Sequence, residues 1–389
     1  MRCEPISNLL RERIEAGDIP SAVYLVAENG KPVLSDALGS AVVDPERIPA
    51  SLDTIYDLAS VTKPLVTSLL LAILIEQGRL DIETRLGDIP GFADIGAAAD
   101  PTIGQLVSHT SGLPAWLPFY LLQDRSSGMS ARGSVLDVVG RLDLAYVPGT
   151  QVTYSDINFL LLGFAIENVT GMTLDAAADT MIFGPLGLTA ALFAPGPELR
   201  PQIAATEKGN VYEKKMCEEM GYFRVAGDPR DRQLALEAGE NVFAYEWREH
   251  QIWGEVHDGN AHFLNGVAGH AGLFANAQDV LRLATQFLPG SELLRRTETF
   301  GSFTTDITPG LNEHRSFGFQ LASTIDSAAG PDLPHAFGHL GFTGTSVWID
   351  PEPKRVFILL TNRTHHHSLP FANINGLRRA FHSLAAAEL

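Results

Sequence analysis

The chain has 389 residues, 45% of them hydrophobic, and its 28 Lys plus Arg against 46 Asp plus Glu give a formal net charge of −18. That acidity excludes the basic surface that nucleic acid or an anionic membrane requires, while the apolar content is ample for a large core. Cys3 and Cys217, the two cysteines, make neither a disulfide framework nor a metal-ligand spacing, so no metal and no cofactor are expected.

Met1 to Asn8 has no apolar stretch before polar residues resume, which sets the expectation of a cytoplasmic protein. Apolar residues at Ile6, Leu9, Leu10 and Ile14 follow a helical period that ends at Gly17. Two alternating runs, Ala22–Glu28 and Pro32–Leu38, flank Asn29-Gly30, a strong hairpin signal. A third short strand is expected at Thr54–Asp57.

Leu58-Ala59-Ser60-Val61-Thr62-Lys63 then leads into the apolar helix Pro64–Gly78. Ser60 and Lys63, three apart, share one face of a helix whose first turn favours negative charge. A serine hydroxyl is a weak nucleophile until a base takes its proton, and a buried lysine one turn on can be that base. Of the six lysines only Lys63 follows a serine by three residues. The competing reading, a serine helix cap beside a solvated lysine, is the ordinary one for an isolated S-x-x-K.

Further along, Leu106–Pro114 ends a helix in a turn, and Asp137–Leu144 reads as helical. Pro148-Gly149-Thr150 is a tight turn, Tyr154-Ser155-Asp156 follows, and a second apolar helix covers Phe159–Val169. The apolar runs near 65–75 and 159–166 are short for a bilayer span. Residues 195–260, rich in Pro, Gly and charge, suggest a loop-rich lid shaped in part by His257 and Asp258. Gly266–Gly272 reads as a close backbone crossing that needs small residues. A helix is expected over Ala275–Phe287, strands over 344–350 and 355–362, and a last helix over Pro370–Ala387. Strands at both ends with helices between them imply an α/β chain of the α+β type: an antiparallel sheet built from both termini, flanked by helices. The expected division is 1–90 with 265–389 as the sheet domain and 91–264 as a mainly helical domain, with the active site between them.

Three ordered stretches single out the chemistry: Ser60-Val61-Thr62-Lys63, Tyr154-Ser155-Asp156 and His339-Leu340-Gly341. They stand in the order of the S-x-x-K, Y-x-N and K-T-G elements of penicillin-recognising enzymes. With His109-Thr110-Ser111-Gly112-Leu113-Pro114 and Gly338–Thr345, the chain resembles the class C β-lactamase-like serine hydrolases over about residues 5–385. That family includes β-lactamases, D-alanyl-D-alanine carboxypeptidases, D-amino-acid peptidases and esterases. The resemblance implies the penicillin-binding-protein-like fold, Ser60 as acylated nucleophile, Lys63 and Tyr154 as the proton-transfer pair, and an oxyanion hole from the backbone N–H groups of Ser60 and Phe342. His339 and Gly341 would line the site from the sheet edge.

Two departures bear on substrate. Asp156 stands where the family often has Asn; pairing with Lys63, it would keep the lysine protonated and leave basic duty to Tyr154. His339-Leu340 replace Lys-Thr, a poor match for a carboxylate. The expectation is therefore a cofactor-free serine hydrolase acting on small carboxylic esters. The alternatives are a β-lactamase or D-Ala-D-Ala carboxypeptidase, and a sensor that is acylated once without turnover.

Overall fold

The computed structural model describes residues 1–123, 127–222 and 246–389. Helix α1 (Glu4–Glu15) leads to strands β1 (Ser21–Glu28) and β2 (Lys31–Val42). Asn29 and Gly30 join them at φ +53° and +74°, the two positive values a two-residue type I′ hairpin demands. Strand β3 (Ile48–Pro49) extends the edge beyond β2.

The strand expected at Thr54–Asp57 shrinks to β4 (Tyr56–Asp57) and leaves the hairpin's sheet. It joins β5 (Leu192–Phe193) and β6 (Leu273–Ala275) in a small sheet ordered β4-β6-β5. Two residues cannot bury a sheet face, and β4 serves instead to aim the segment that follows. The main sheet is completed by β7 (Gln320–Leu321), β8 (Phe337–Leu340), β9 (Ser346–Asp350) and β10 (Arg355–Thr361), in the order β3-β2-β1-β10-β9-β8-β7. Its pairings are antiparallel, and β1 runs against β10 from Ala22↔Thr361 to Glu28↔Arg355, so the two halves of the chain meet in mid-sheet.

Alternation along β1 and β10 sorts their side chains to two cores. Tyr24, Val26, Phe357 and Leu359 pack with Ile6, Leu10 and Phe381 from α1 and the terminal helix. Val23, Leu25, Val356 and Ile358 face the larger core formed with helices α2 (Leu69–Glu76), α3 (Asp156–Thr170) and α4 (Ala277–Ala284). Each such side chain contributes about 1.5–3 kcal/mol on burial. The terminal helix, α5 (Asn375–Ala387), starts five residues later than expected because the chain before it is used otherwise: the Ala372 carbonyl accepts from Arg363 Nη1 at 2.8 Å. The helix expected over 137–144 lies earlier, at Ala131–Val139, where the Ser130 hydroxyl accepts from the Gly133 N–H and caps it.

Ala59–Glu76 is one continuous 18-residue helical run, longer than the apolar stretch suggested, and long and apolar enough to cross a bilayer. Since 83% of that window is buried in the protein, it is also what a core helix looks like. Of the segment expected to form a lid, 223–245 lies outside the described residues; the rest includes a 3₁₀ turn at Pro197–Gln202 and a helix at Val211–Glu219. The crossing at Gly266–Gly272 is as tight as its composition suggested: a Cβ on Gly269 would stand 2.1 Å from the Phe159 carbonyl of α3.

Candidate active site

Ser60 is placed by a strained entry into its helix. Ala59 has φ +47°, in the left-handed region, and its N–H donates to Asp57 Oδ1 at 2.8 Å. A single 3₁₀ turn, Ala59–Val61, passes into a π-helical turn, Lys63–Ser68, before α2 begins. The β8–β9 connection is fastened to the same segment: Thr343 Oγ1 donates to the Asp57 carbonyl at 2.7 Å, and Thr345 Oγ1 to the Leu58 carbonyl at 3.0 Å. Gly341 has to be glycine there, because a Cβ would meet the Leu58 carbonyl at 2.5 Å.

Lys63 is completely buried, and the partners of its ammonium lie within the protein. Nζ donates to Ser60 Oγ at 2.9 Å and to the His270 carbonyl at 3.0 Å, and lies 2.7 Å from Asp156 Oδ1. The Asp156 contact is an ion pair at close range rather than an aligned hydrogen bond. Burial alone would pull the lysine down, but Asp156 and Tyr154 outweigh it and hold Lys63 above its ordinary value. That direction keeps it protonated at neutral pH.

Ser155 caps α3 through its hydroxyl, which accepts from the Asn158 N–H, so Tyr154 precedes the cap and Asp156 occupies the first helical position. The Tyr154 ring lies 5.0 Å from Lys63 Nζ, and burial raises its pKa while hydrogen bonds to Lys63 and Ser60 act against that rise. His109, at φ +60°, orients it: Nδ1 accepts from the Ser155 N–H at 3.0 Å, and the two rings are 4.5 Å apart. His339 flanks the other side, its ring 5.8 Å from Tyr154. Burial, then Lys63 and Arg315, hold His339 well below the usual imidazole range, so it is neutral.

One cavity of about 510 Å³ collects these groups; Ser60, Tyr154, Asp156, His339, Gly341 and Phe342 all line it. Lys63 lies behind its wall, in contact through Ser60. Every side chain singled out by sequence thus falls in or directly behind a single cleft. Several others were missed. Arg315 lines the cleft with its guanidinium 5.6 Å from the Tyr154 ring, and Glu313 accepts from its Nε at 2.9 Å and its Nη2 at 2.5 Å. Nothing around Asn312–Arg315 marks it, because it reaches the site only through the fold beside β7. Glu213 also lines the cleft; His257 and Asp258, which the sequence suggested would shape a lid, form its far wall, His257 paired with Glu207 and Asp258 with His270.

The model of the Beta-lactamase family matches residues 6–380, and the chain belongs to that family. A relative from Escherichia coli (strain K12), provisionally named a D-alanyl-D-alanine carboxypeptidase, is 32% identical over 389 residues, 94% of this chain and 83% of its own length. Among solved structures, the hydrolase EstCE1, described as having promiscuous acyltransferase activity, superposes with a TM-score of 0.69 at 21% identity, covering 97% of this chain and 98% of its own. A class C beta lactamase from Rhodobacter sphaeroides gives 0.66 at 17% identity, covering 99% of both. The fold is thus the β-lactamase and penicillin-binding-protein fold.

Proposed function

We propose that the protein is a hydrolase that forms an acyl-enzyme on Ser60, and that it prefers acyl compounds whose leaving group carries a carboxylate. The observation that carries the chemistry is the buried Lys63 ammonium held between Ser60 Oγ and Asp156. A lysine so paired is a poor base, so Tyr154, in the form that has lost its own proton, takes the proton from Ser60 as Oγ attacks the carbonyl carbon. The Ser60 and Phe342 N–H groups receive the oxyanion. Tyr154 then returns its proton to the departing oxygen or nitrogen, leaving an ester on Ser60. Water, deprotonated by the same phenolate, attacks that ester, and the proton returns to Ser60.

Substrate preference turns on Arg315. The strand itself offers neutral His339 and apolar Leu340, which taken alone favours neutral esters. The fold brings a guanidinium to the same cleft and so restores the missing cation. The provisional name of the Escherichia coli relative agrees with that reading. A neutral-ester hydrolase is the second reading, favoured by the depressed His339 and by Glu313, which draws off part of the Arg315 charge.

The test has two parts. A fluorophosphonate should label Ser60 and no other residue, and Ser60→Ala should abolish both label and turnover. N-acetyl-D-alanyl-D-alanine and its methyl ester should then be compared in wild type and Arg315→Ala. Loss of preference for the free acid, roughly tenfold or more for one charge-assisted contact, is expected in the variant. A wild type that prefers the neutral ester would hand the case to the second reading.

A further inference from the structure

Ser60 and Lys63 share one helical turn, but a group that steadies the lysine comes from a distant part of the chain. The His270 carbonyl, which accepts from Lys63 Nζ at 3.0 Å, belongs to the glycine-rich crossing Gly266–Gly272. That crossing is tied to the Ser60 helix on either side of His270. Thr67 Oγ1 donates to the Gly269 carbonyl at 2.6 Å, and the Leu273 N–H donates to Thr62 Oγ1 at 3.1 Å. Between the two ties stands Gly272 at φ +111°, a conformation that only glycine adopts freely. Backbone of that freedom does not aim a carbonyl by itself.

The His270 side chain supplies the third tie. Its Nε2 lies 2.8 Å from Asp258 Oδ1, and the residue is 1% exposed. Burial works against a charge on Asp258, but His270, the Ala261 N–H and Lys63 hold its carboxyl below the ordinary range. A carboxylate can only accept, so Nε2 carries the hydrogen. Nδ1 is buried without a partner among the described residues, which leaves the bond to Asp258 to fix the imidazole.

Asp258 is anchored in turn. Its Oδ1 also accepts from the Ala261 N–H at 2.8 Å. The neighbouring His257 N–H donates to Asp57 Oδ2 at 2.8 Å, and Asp57 Oδ1 accepts from the Ala59 N–H at 2.8 Å. Ala59 is the strained residue that presents Ser60. The contacts therefore close a circuit from Ser60 through Lys63, His270, Asp258, Asp57 and Ala59 back to Ser60. Nucleophile and lysine are held to one frame from two directions.

The need for such a frame lies in Lys63. Its ammonium stands 2.9 Å from Ser60 Oγ and 2.7 Å from the Asp156 carboxylate, and the carboxylate is the stronger attraction. With the His270 carbonyl free to move, Nζ would follow Asp156 and leave Ser60.

We propose that Asp258 and His270 are positioning residues: Asp258 holds the imidazole, the imidazole aims the His270 carbonyl, and that carbonyl keeps Lys63 Nζ on Ser60 Oγ. The inference rests on the acyl-enzyme reading, and neither residue exchanges a proton with the substrate.

The readout is phosphonylation of Ser60 by a fluorophosphonate, followed as a maximal rate and a half-saturating concentration. His270→Ala should lower the maximal rate about 10²-fold, the scale of an ångström of misplacement, and leave half-saturation nearly unchanged. His270→Gln, whose amide N–H can still reach Asp258, should recover most of the loss. In a Lys63→Ala background, His270→Ala should cost nothing further, because no ammonium is left to place. In Arg315→Ala it should cost its full factor. A pair that merely supports the fold would raise half-saturation, or slow the reaction equally in every background, and either result would overturn the proposal. Asp258→Asn keeps the side chain's shape and decides the matter where His270→Ala does not fold. There a roughly fivefold slower maximal rate is expected, as a charge-assisted bond gives way to a neutral one, and an unchanged rate is refutation. A wild-type Ser60 that never labels would instead refute the acyl-enzyme reading on which the pair's role depends.

Discussion

Replacing Asp156 with asparagine isolates the charge that holds Lys63 protonated. The carboxylate is 2.7 Å from Nζ and its side chain is 19% exposed. At that distance the attraction amounts to about 1.5 kcal/mol if fully screened by water and about 6 kcal/mol at an effective dielectric near 20. Partial exposure and the amide dipole that remains bring the effect to about one to three pKa units on the interacting pair. The sign follows from the pair's protons. The active form has lost one proton from Lys63 and Tyr154 together, and a nearby anion opposes that loss, as its upward effect on both groups indicates. In the wild type kcat/KM should therefore climb with pH through neutrality, because burial keeps Tyr154 above its ordinary value despite Lys63. In Asp156→Asn the rising limb should move toward acid by about one to three units. The assay is the pH profile of kcat/KM on a single chromogenic substrate. A limb that stays in place, or moves toward alkali, would show that Asp156 does not govern the pair.

Lys63→Ala and Tyr154→Phe should each remove most of the rate, about 10²–10⁴-fold, and the double variant should lose little more, as members of one catalytic unit do; additive losses in kcat would assign them to separate steps. Gly269→Ala should lower the unfolding midpoint by an amount equivalent to about 1–3 kcal/mol, since its Cβ would press on the Phe159 backbone rather than on a side chain that can turn aside. An unchanged midpoint would mean that α3 can slide off the crossing.

What was legible in the sequence was what is local. Asn29-Gly30 fixes its own φ values, Ser60 and Lys63 are joined by one helical turn, and Ser155 caps the helix it precedes. The misplaced edges have equally local causes read in the wrong direction: Ser130 starts a helix earlier than the apolar period suggested, and Arg363 takes the Ala372 carbonyl from the start of α5. Thr54–Asp57 has strand composition, yet which sheet it enters depends on Phe274 and Ala275, more than two hundred residues away.

The site divides along the same line, and the division has a chemical consequence. Ser60, Lys63, Tyr154 and Asp156 lie in short motifs, but the cleft's charge is set by residues that no motif carries. Judged from the strand alone, exchanging a lysine for His339 removes a cation and argues for neutral substrates. The fold places Arg315 close enough to help depress His339, so the two positions have to be weighed together: a protonated imidazole and a guanidinium would repel each other in a poorly screened site. On this argument the neutral histidine and the arginine are two halves of one arrangement, with the charge relocated from the strand to the connection beside β7. Arg315 is tied to Glu313 and lies against the Tyr154 ring, so it is a more constrained cation than a lysine on the strand would be. A site of that kind should discriminate among carboxylates by position more sharply than by charge. Shifting the leaving-group carboxylate by one methylene, from D-alanine to the corresponding β-amino acid, should cost more in kcat/KM for the wild type than for Arg315→Lys. Equal losses in the two proteins would leave the guanidinium as nothing more than a diffuse positive charge.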